Sequence, residues 1–314
     1  MENNQKVNRY AVIDLGTNTC NLLIANILTN GSFVPVYDRK LPVKLGRGGI
    51  HNDILLPAAI ERGILALQSH FKTIGEYGVS KVKIVGTSAL RGAANREELR
   101  NKVKELFGWE IEIIDGEEEA ELIFRGVRLS LPDGIGNYLI LDIGGGSIEF
   151  IIANNDTVIW KKSFNIGIAR ALEAIPMSDP ISYSEINLLE KWFDAHLAEL
   201  WKVCLLHKPL TLVGCSGAFD TFVDIYENAI PDQKIRDVSE LPLNDYYKIH
   251  NLLIHSDNQT RSKMQGMDGM RVEMVVIASV FTNFILQRCA FQKLLHTHNS
   301  LKEGIMNQLI SKGL

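Results

Sequence analysis

Two acids, Asp142 and Glu149, flank three consecutive glycines and a serine, Gly144, Gly145, Gly146 and Ser147, in the run LILDIGGGSIEF at residues 139–150. Consecutive glycines remove the Cβ atoms from a tight turn, so successive backbone N–H groups can face one concavity and receive phosphate oxygens. Each acid would repel a bare phosphate unless a cation lay between them, and the pair therefore points to Mg²⁺ carried with the phosphate. The bland alternative is a glycine hairpin with a solvated acid. A second copy of the pattern weighs against it. Residues 10–25, YAVIDLGTNTCNLLIA, again give an apolar strand, an acid and a glycine–hydroxyl turn, so that Asp14, Gly16, Thr17, Asn18 and Thr19 lie over Asp142, Gly144, Gly145, Gly146 and Ser147. Two such turns heading two halves predict a duplicated architecture, with one turn from each half facing a shared cleft.

Further candidates follow the first turn. Residues 82–85 read as a strand that runs into Gly86, Thr87, Ser88 and then Arg91. Small and hydroxyl residues directly after a strand are where an α/β protein holds a ligand, and a planar, permanently charged guanidinium suits a phosphate. A surface arginine at a helix start is the alternative for Arg91. The run DGEEEAELIFRGV at residues 115–127 starts another helix. Acids in a first turn complement the helix dipole, which accounts for Glu117 and Glu118 better than for Glu119 and Glu121. A carboxylate at that helix start could orient water. The glycine-rich KLGRGGI at residues 44–50 and the cationic RSKMQGMDGMR at residues 261–271 either reach a polyanion or are solvated turns. His296 and His298 lack a third metal ligand at suitable spacing and are read as structural.

These residues need a scaffold, and the remaining sequence supplies one. A helix is predicted over residues 56–77 from apolar positions at Ile60, Ile64, Leu67, Phe71 and Ile74, and others over 96–107 and 184–200. Strands are predicted at 33–37, 111–114, 150–153, 158–161 and 210–213. The chain, 314 residues long, is large enough for two domains, and its 33 basic against 37 acidic residues argue against a dedicated DNA-binding module. Four scattered cysteines make neither a zinc knuckle nor a disulfide framework, and the polar opening shows no signal peptide, so a cytoplasmic protein is expected. The apolar run at 272–289 is interrupted by polar residues and reads as a buried helix, not a membrane span. Residues 231–244 read as an exposed connection.

Taken together, AVIDLGTNTCNLLIA, GTSALRGAAN, IDGEEEAELIFRGV and LDIGGGSIEF, in this order and spacing, resemble the exopolyphosphatase / guanosine pentaphosphate phosphohydrolase family of the actin-like superfamily. The resemblance extends through residues 163–167 and 212–217 to SLKEGI at 300–305. It implies a duplicated actin-like α/β fold, with residues 1–125 and a C-terminal helix at about 300–314 in one domain, 126–299 in the other, and phosphates bound between them. It also implies hydrolytic release of a terminal phosphate from polyphosphate or guanosine pentaphosphate, with Mg²⁺ as cofactor. On that reading Glu119 positions and deprotonates water, with Glu118 beside it. Asp14, Asp142 and Glu149 hold Mg²⁺, Arg91 meets the substrate, and the turns Gly16–Thr19 and Gly144–Ser147 cradle phosphates. The chain ends where longer members add a helical domain, which implies the short, two-domain form; a homodimer is left open.

The chain departs from the family pattern at Asn21, where a basic residue is common, and at Asp115, where serine is usual. Both changes are expected to weaken the hold on long polyanions. Two rivals follow: a small-molecule kinase of the same superfamily, and a non-catalytic sensor of polyphosphate or an alarmone.

Overall fold

The structure is a computed structural model that describes residues 8–154, 157–231 and 237–312. Most of the polar opening, and residues 232–236 of the connection at 231–244, lie outside the described residues. The chain divides into two compact units, Met1–Gly126 with Leu301–Leu314, and Val127–Ser300.

In the first unit an antiparallel meander comes first: β1 (Arg9–Leu15), β2 (Thr19–Ile27) and β3 (Phe33–Pro42). Helix α1 (Pro57–Glu76) opens on a proline, whose missing N–H would have had no partner in a first turn. Then follow β4 (Lys81–Gly86), α2 (Ser88–Gly92), α3 (Arg96–Phe107), β5 (Ile111–Ile113) and α4 (Gly116–Arg128). Strands β4 and β5 extend the sheet parallel to β1, in the order β3-β2-β1-β4-β5. The core gathers Ile13, Leu22 and Ile24 from the sheet against Ile60, Leu67, Leu99 and Val103 from the helices.

The second unit repeats the plan. Strands β6 (Tyr138–Ile143), β7 (Ile148–Ala153) and β8 (Val158–Phe164) form its meander, and the first two are buried at every position, as strands covered on both faces must be. Helices α5 (Ile168–Ala174), α6 (Tyr183–Asp194) and α7 (Ala198–His207) lead to β9 (Thr211–Cys215), α8 (Gly217–Glu227) and β10 (Val238–Glu240). After α9 (Leu243–His255), α10 (Asn258–Arg261) and α11 (Val275–Arg288), β11 (Lys293–Thr297) closes the sheet in the order β10-β11-β9-β6-β7-β8. From β8 to β11 this sheet matches β3 to β5 of the first in order and in strand direction, with β10 added at the edge. Helix α12 (Leu301–Ser311) returns to pack on β1 and β2.

Three expectations change on inspection. Residues 184–200 form two helices, not one, because the chain turns at residues 195–197, where Trp201 Nε1 donates back to Asp194 at 2.8 Å. Of the apolar positions expected to face inward, Leu189, Phe193 and Leu197 are fully buried, whereas Ile186 and Trp192 are half-buried. Arg261 is not a cation facing a polyanion; it is 4% exposed and donates to the Ser256 and Val272 carbonyls and to Asp179. Strand β3 runs to Pro42, well beyond the five residues expected. The apolar run near 272–289 becomes the buried helix α11, and no helix among the described residues is long and apolar enough to cross a membrane.

Two stability predictions follow from the first unit. A Cβ at Gly304 would sit 1.8 Å from the Leu122 carbonyl oxygen, so α12 approaches α4 as only glycine allows. Gly304→Ala should cost about 1–3 kcal/mol, read as a lower denaturant midpoint. His70 is fully buried and donates from Nε2 to the Cys20 carbonyl at 3.1 Å; burial lowers its pKa from 6.5. The fold therefore holds neutral imidazole while the unfolded chain takes a proton below 6.5, so stability present above that pH is lost as pH falls through and below it. His70→Gln should flatten the decline in melting temperature between pH 7.5 and about 5; an unchanged slope would assign the decline to other groups.

Candidate functional site

Each turn is built by tying its carbonyls backwards. In the second unit the carbonyl oxygens of Gly144, Gly145 and Gly146 accept from the N–H groups of Ile168 (3.0 Å), Ala169 (2.8 Å) and Gly167 (3.3 Å), at the start of α5. Arg170 Nε adds a second bond to the Gly146 carbonyl at 2.9 Å. In a trans peptide the N–H points opposite to the C=O, so these bonds turn the N–H groups of Gly145, Gly146 and Ser147 away from α5 together. None of the three glycines has a left-handed backbone; they supply room. A Cβ on Gly144 would lie 2.7 Å from the Ser147 carbonyl oxygen, and one on Gly167 would lie 2.4 Å from Gly145.

The first turn uses the same device with other residues. Val43 and Lys44 N–H groups donate to the Asn18 carbonyl at 2.8 and 3.0 Å, and Gly46 N–H donates to Thr17 at 3.3 Å. The N–H groups of Asn18 and Thr19 therefore face the other way. The KLGRGGI segment thus buttresses the turn from behind through its backbone. Arg62 fixes that segment in turn, donating to the Val43 and Lys44 carbonyls at 2.8 Å each.

The acids are set by strand register. Asp142 and Glu149 are direct partners across the β6–β7 hairpin, so both side chains leave the same face. Both are buried, at 6% and 1% exposure. Oδ2 of Asp142 accepts from Ser300 Oγ (2.6 Å), Ser216 Oγ (2.7 Å) and Cys215 Sγ (3.6 Å), while Ser163 Oγ donates to Glu149 Oε1 at 2.6 Å. Burial pushes the Asp142 carboxyl up, and the three donors offset only part of that. In the first unit the equivalent cross-strand pair is Asp14 with Asn21, whose amide donates to Asp14 Oδ2 at 2.8 Å. The position where the resemblance leads to the expectation of a cation carries a neutral donor to the acid.

Arg91 and Glu119 meet in the first unit. β1, β4 and β5 run parallel, so the Gly16–Thr19 turn, the start of α2 and the start of α4 follow their carboxyl ends. Arg91 Nη1 donates to Glu119 Oε2 at 2.8 Å and to the Ile114 carbonyl at 3.1 Å. Glu119 is 6% exposed, whereas Glu118 is half-buried. Asp115 caps α4, its Oδ1 accepting from Glu118 N–H at 2.8 Å, a task a serine hydroxyl also performs. Buried Thr17 Oγ1, Ser88 Oγ, Asn21 Oδ1 and Arg91 Nη2 have no hydrogen-bond partner among the described residues. The two hydroxyls and the guanidinium nitrogen are donors that suit an oxygen-rich ligand, whereas Asn21 Oδ1 is an acceptor that suits a donor or a cation.

Ser163, Ser216 and Ser300 lie in segments that carry the family resemblance, but the sequence assigned them no role; the structure shows that they hold the acids. Sequence reading also set aside His296 and His298 for want of a third ligand. The fold supplies one: Asp220, in the first turn of α8, lies with its Oδ1 at 3.0 Å from His296 Nε2 and 3.1 Å from His298 Nδ1.

Comparison with known proteins identifies the family and the fold. A model of the Ppx/GppA phosphatase family matches residues 23–312. The bifunctional 3-dehydroquinate synthase/phosphatase of Fusobacterium nucleatum is 29% identical over 95% of this chain, which spans only 47% of that relative's length. Exopolyphosphatase 2 of Mycobacterium tuberculosis is 26% identical, covering 95% of this chain and 97% of its own. Among solved structures, an exopolyphosphatase from Cytophaga hutchinsonii superposes with a TM-score of 0.91 at 34% identity, over 97% of this chain and 98% of that one. The likeness identifies the fold as the duplicated actin-like α/β architecture.

The Arg91–Glu119 pair makes a prediction that needs no substrate. Arg91→Ala leaves a buried carboxylate short of its donor and should cost about 1–3 kcal/mol in urea unfolding, with Arg91→Lys recovering part of the loss. Equal stability of all three proteins would mean that Glu119 does not depend on Arg91.

Proposed function

We propose that this chain, which belongs to the Ppx/GppA phosphatase family, is a phosphohydrolase that releases the terminal phosphate of inorganic polyphosphate by attack of water. The observation that carries the reading is the repeated turn with its carbonyls tied back, because a row of fixed N–H groups binds phosphate oxygens without reorganising. Exopolyphosphatases among the relatives favour polyphosphate.

The proposed roles follow from the geometry. Glu119, held by Arg91 Nη1, aligns water and accepts its proton. Arg91 Nη2 is the donor left for a phosphoryl oxygen. The turns Gly16–Thr19 and Gly144–Ser147 each receive phosphate oxygens on their N–H groups, and Glu118 lies one residue from the base. The donor set also fits Mg²⁺, since adjacent buried carboxylates at Asp142 and Glu149 are hard oxygen ligands that repel each other without a cation. Asp14 is the corresponding carboxylate of the first unit. When bound, Mg²⁺ would neutralise charge on the phosphates. The transition state of such a reaction is loose, with charge on the equatorial oxygens, so alignment and fixed donors supply most of the catalysis.

Phosphate release should be measured with polyphosphate of several chain lengths and with guanosine pentaphosphate, with and without Mg²⁺. Release from polyphosphate without any acceptor is expected, and preference for guanosine pentaphosphate would move the assignment to that substrate. Phosphate transfer only in the presence of an acceptor would mark a kinase, and tight binding without turnover a sensor. Glu119→Gln keeps an oxygen for Arg91 and should lower kcat by about 10²–10⁴ while KM changes little. Unaltered kcat would remove Glu119 from the role of base.

A further inference from the structure

The geometry points to a metal site in the Val127–Ser300 unit built from residues other than the Asp142–Glu149 pair: we propose that Asp220, His296 and His298 bind one divalent transition-metal ion of the zinc class. Two features of the fold assemble it. His296 lies in β11 and His298 directly follows the strand's last residue, Thr297, and the two imidazole rings meet edge to face with centroids 4.5 Å apart. β11 lies parallel to β9, with His296 beside Gly214, and β9 runs directly into α8, whose first turn carries Asp220. Over Gly214 lies the Phe219 ring, 2.1 Å from where a Cβ would be, so the start of α8 sits close against the strands.

The three groups converge as ligands do. The imidazole nitrogens and the carboxylate oxygen all lie within 4.8 Å of one another, with the Asp220 edges at 3.0 and 3.1 Å. Tetrahedral zinc with bonds of about 2.0–2.1 Å sets neighbouring donor atoms about 3.3 Å apart, so the two Asp220 edges already match, and the imidazole nitrogens, within 4.8 Å of each other, would close toward that spacing. Two imidazoles and one carboxylate are a borderline donor set that suits zinc-class ions, whereas Mg²⁺ prefers oxygen and retained water. His296 is 1% exposed, while the His298 side chain keeps 14%, which gives an ion a way in. Three protein ligands leave a fourth position for water.

What the ion would do follows from its neighbours. Ser216, the residue before α8, lies four positions before Asp220, and Ser300 lies two positions after His298. Both donate to Asp142 Oδ2. An ion on Asp220, His296 and His298 fastens the segments that carry those serines, and so acts as a positioning element behind Asp142.

The full chain, stripped with a chelator, should be titrated with Zn²⁺ alone by calorimetry and thermal melting, and with Co²⁺ by visible absorption. One Zn²⁺ per chain, a rise in melting temperature and intense Co²⁺ bands of low coordination number are expected. Loss of an outer partner of a metal ligand costs about 10–100-fold in affinity, so His298→Gln, at the most exposed ligand, should weaken Zn²⁺ at least about 100-fold. Asp220→Asn should act alike, and circular dichroism verifies that each variant is folded. Glu149→Gln should leave this Zn²⁺ affinity unchanged. Absent Zn²⁺ binding would overturn the proposal, leaving a hydrogen-bonded Asp–His–His network. Binding that survives in folded His298→Gln but falls in Glu149→Gln would equally overturn it, placing the ion at the Asp142–Glu149 pair.

Discussion

A peptide group cannot turn its C=O one way without turning its N–H the other, and both phosphate turns depend on that constraint. Gly167 to Arg170 pull three carbonyls of one turn toward α5, and Val43 to Gly46 pull two carbonyls of the other toward the loop after β3. The outward N–H groups are thus consequences of bonds made on the far side. This explains why the glycines matter where they do. Gly144 and Gly167 make room for the tied backbone, and Gly46 does the same under Thr17, where a Cβ would lie 2.8 Å from the methyl group.

The buried acids are the second expense in this design, since a carboxylate in a sheet interior loses its water. Hydroxyl groups compensate: two serines and a thiol on Asp142, one serine on Glu149. These donors come from β8, from the end of β9 and from the turn before α12. The acids therefore report on the packing of the whole sheet. A shift in any of those segments changes where Asp142 points before it changes the phosphate turn itself.

Much of this was legible in the chain. The repeated strand–acid–turn pattern predicted the duplicated sheets, and helical spacing placed α1 and α3 within a residue or two. Local signals sufficed there because each element is decided by its own periodicity. What escaped notice depends on contacts between distant segments. Asp220 and His296 are 76 residues apart, and only parallel pairing of β9 with β11 makes them neighbours. Ser300 reaches Asp142 across 158 residues. Arg261 looked like a surface cation because its neighbours in sequence are polar, yet three acceptors from elsewhere enclose it. The turn at residues 195–197 contains neither glycine nor proline and gave no warning.

Comparing the two hairpins position by position shows where the duplication is not symmetrical. Asp14 faces Asn21, and Asp142 faces Glu149, in the same register of the same meander. In the first pair an amide donor answers the acid directly, at 2.8 Å, and the pair holds a single carboxyl group. In the second pair two acids stand side by side, both nearly out of water, and hydroxyl donors alone cannot cancel their mutual repulsion. The demand for a cation or a shared proton is therefore concentrated in the Val127–Ser300 unit. Asn21 then has a physical sense at a position where the resemblance leads to the expectation of a cation. It answers Asp14 from within the hairpin, while the turn itself is held from behind by the N–H groups of Val43, Lys44 and Gly46.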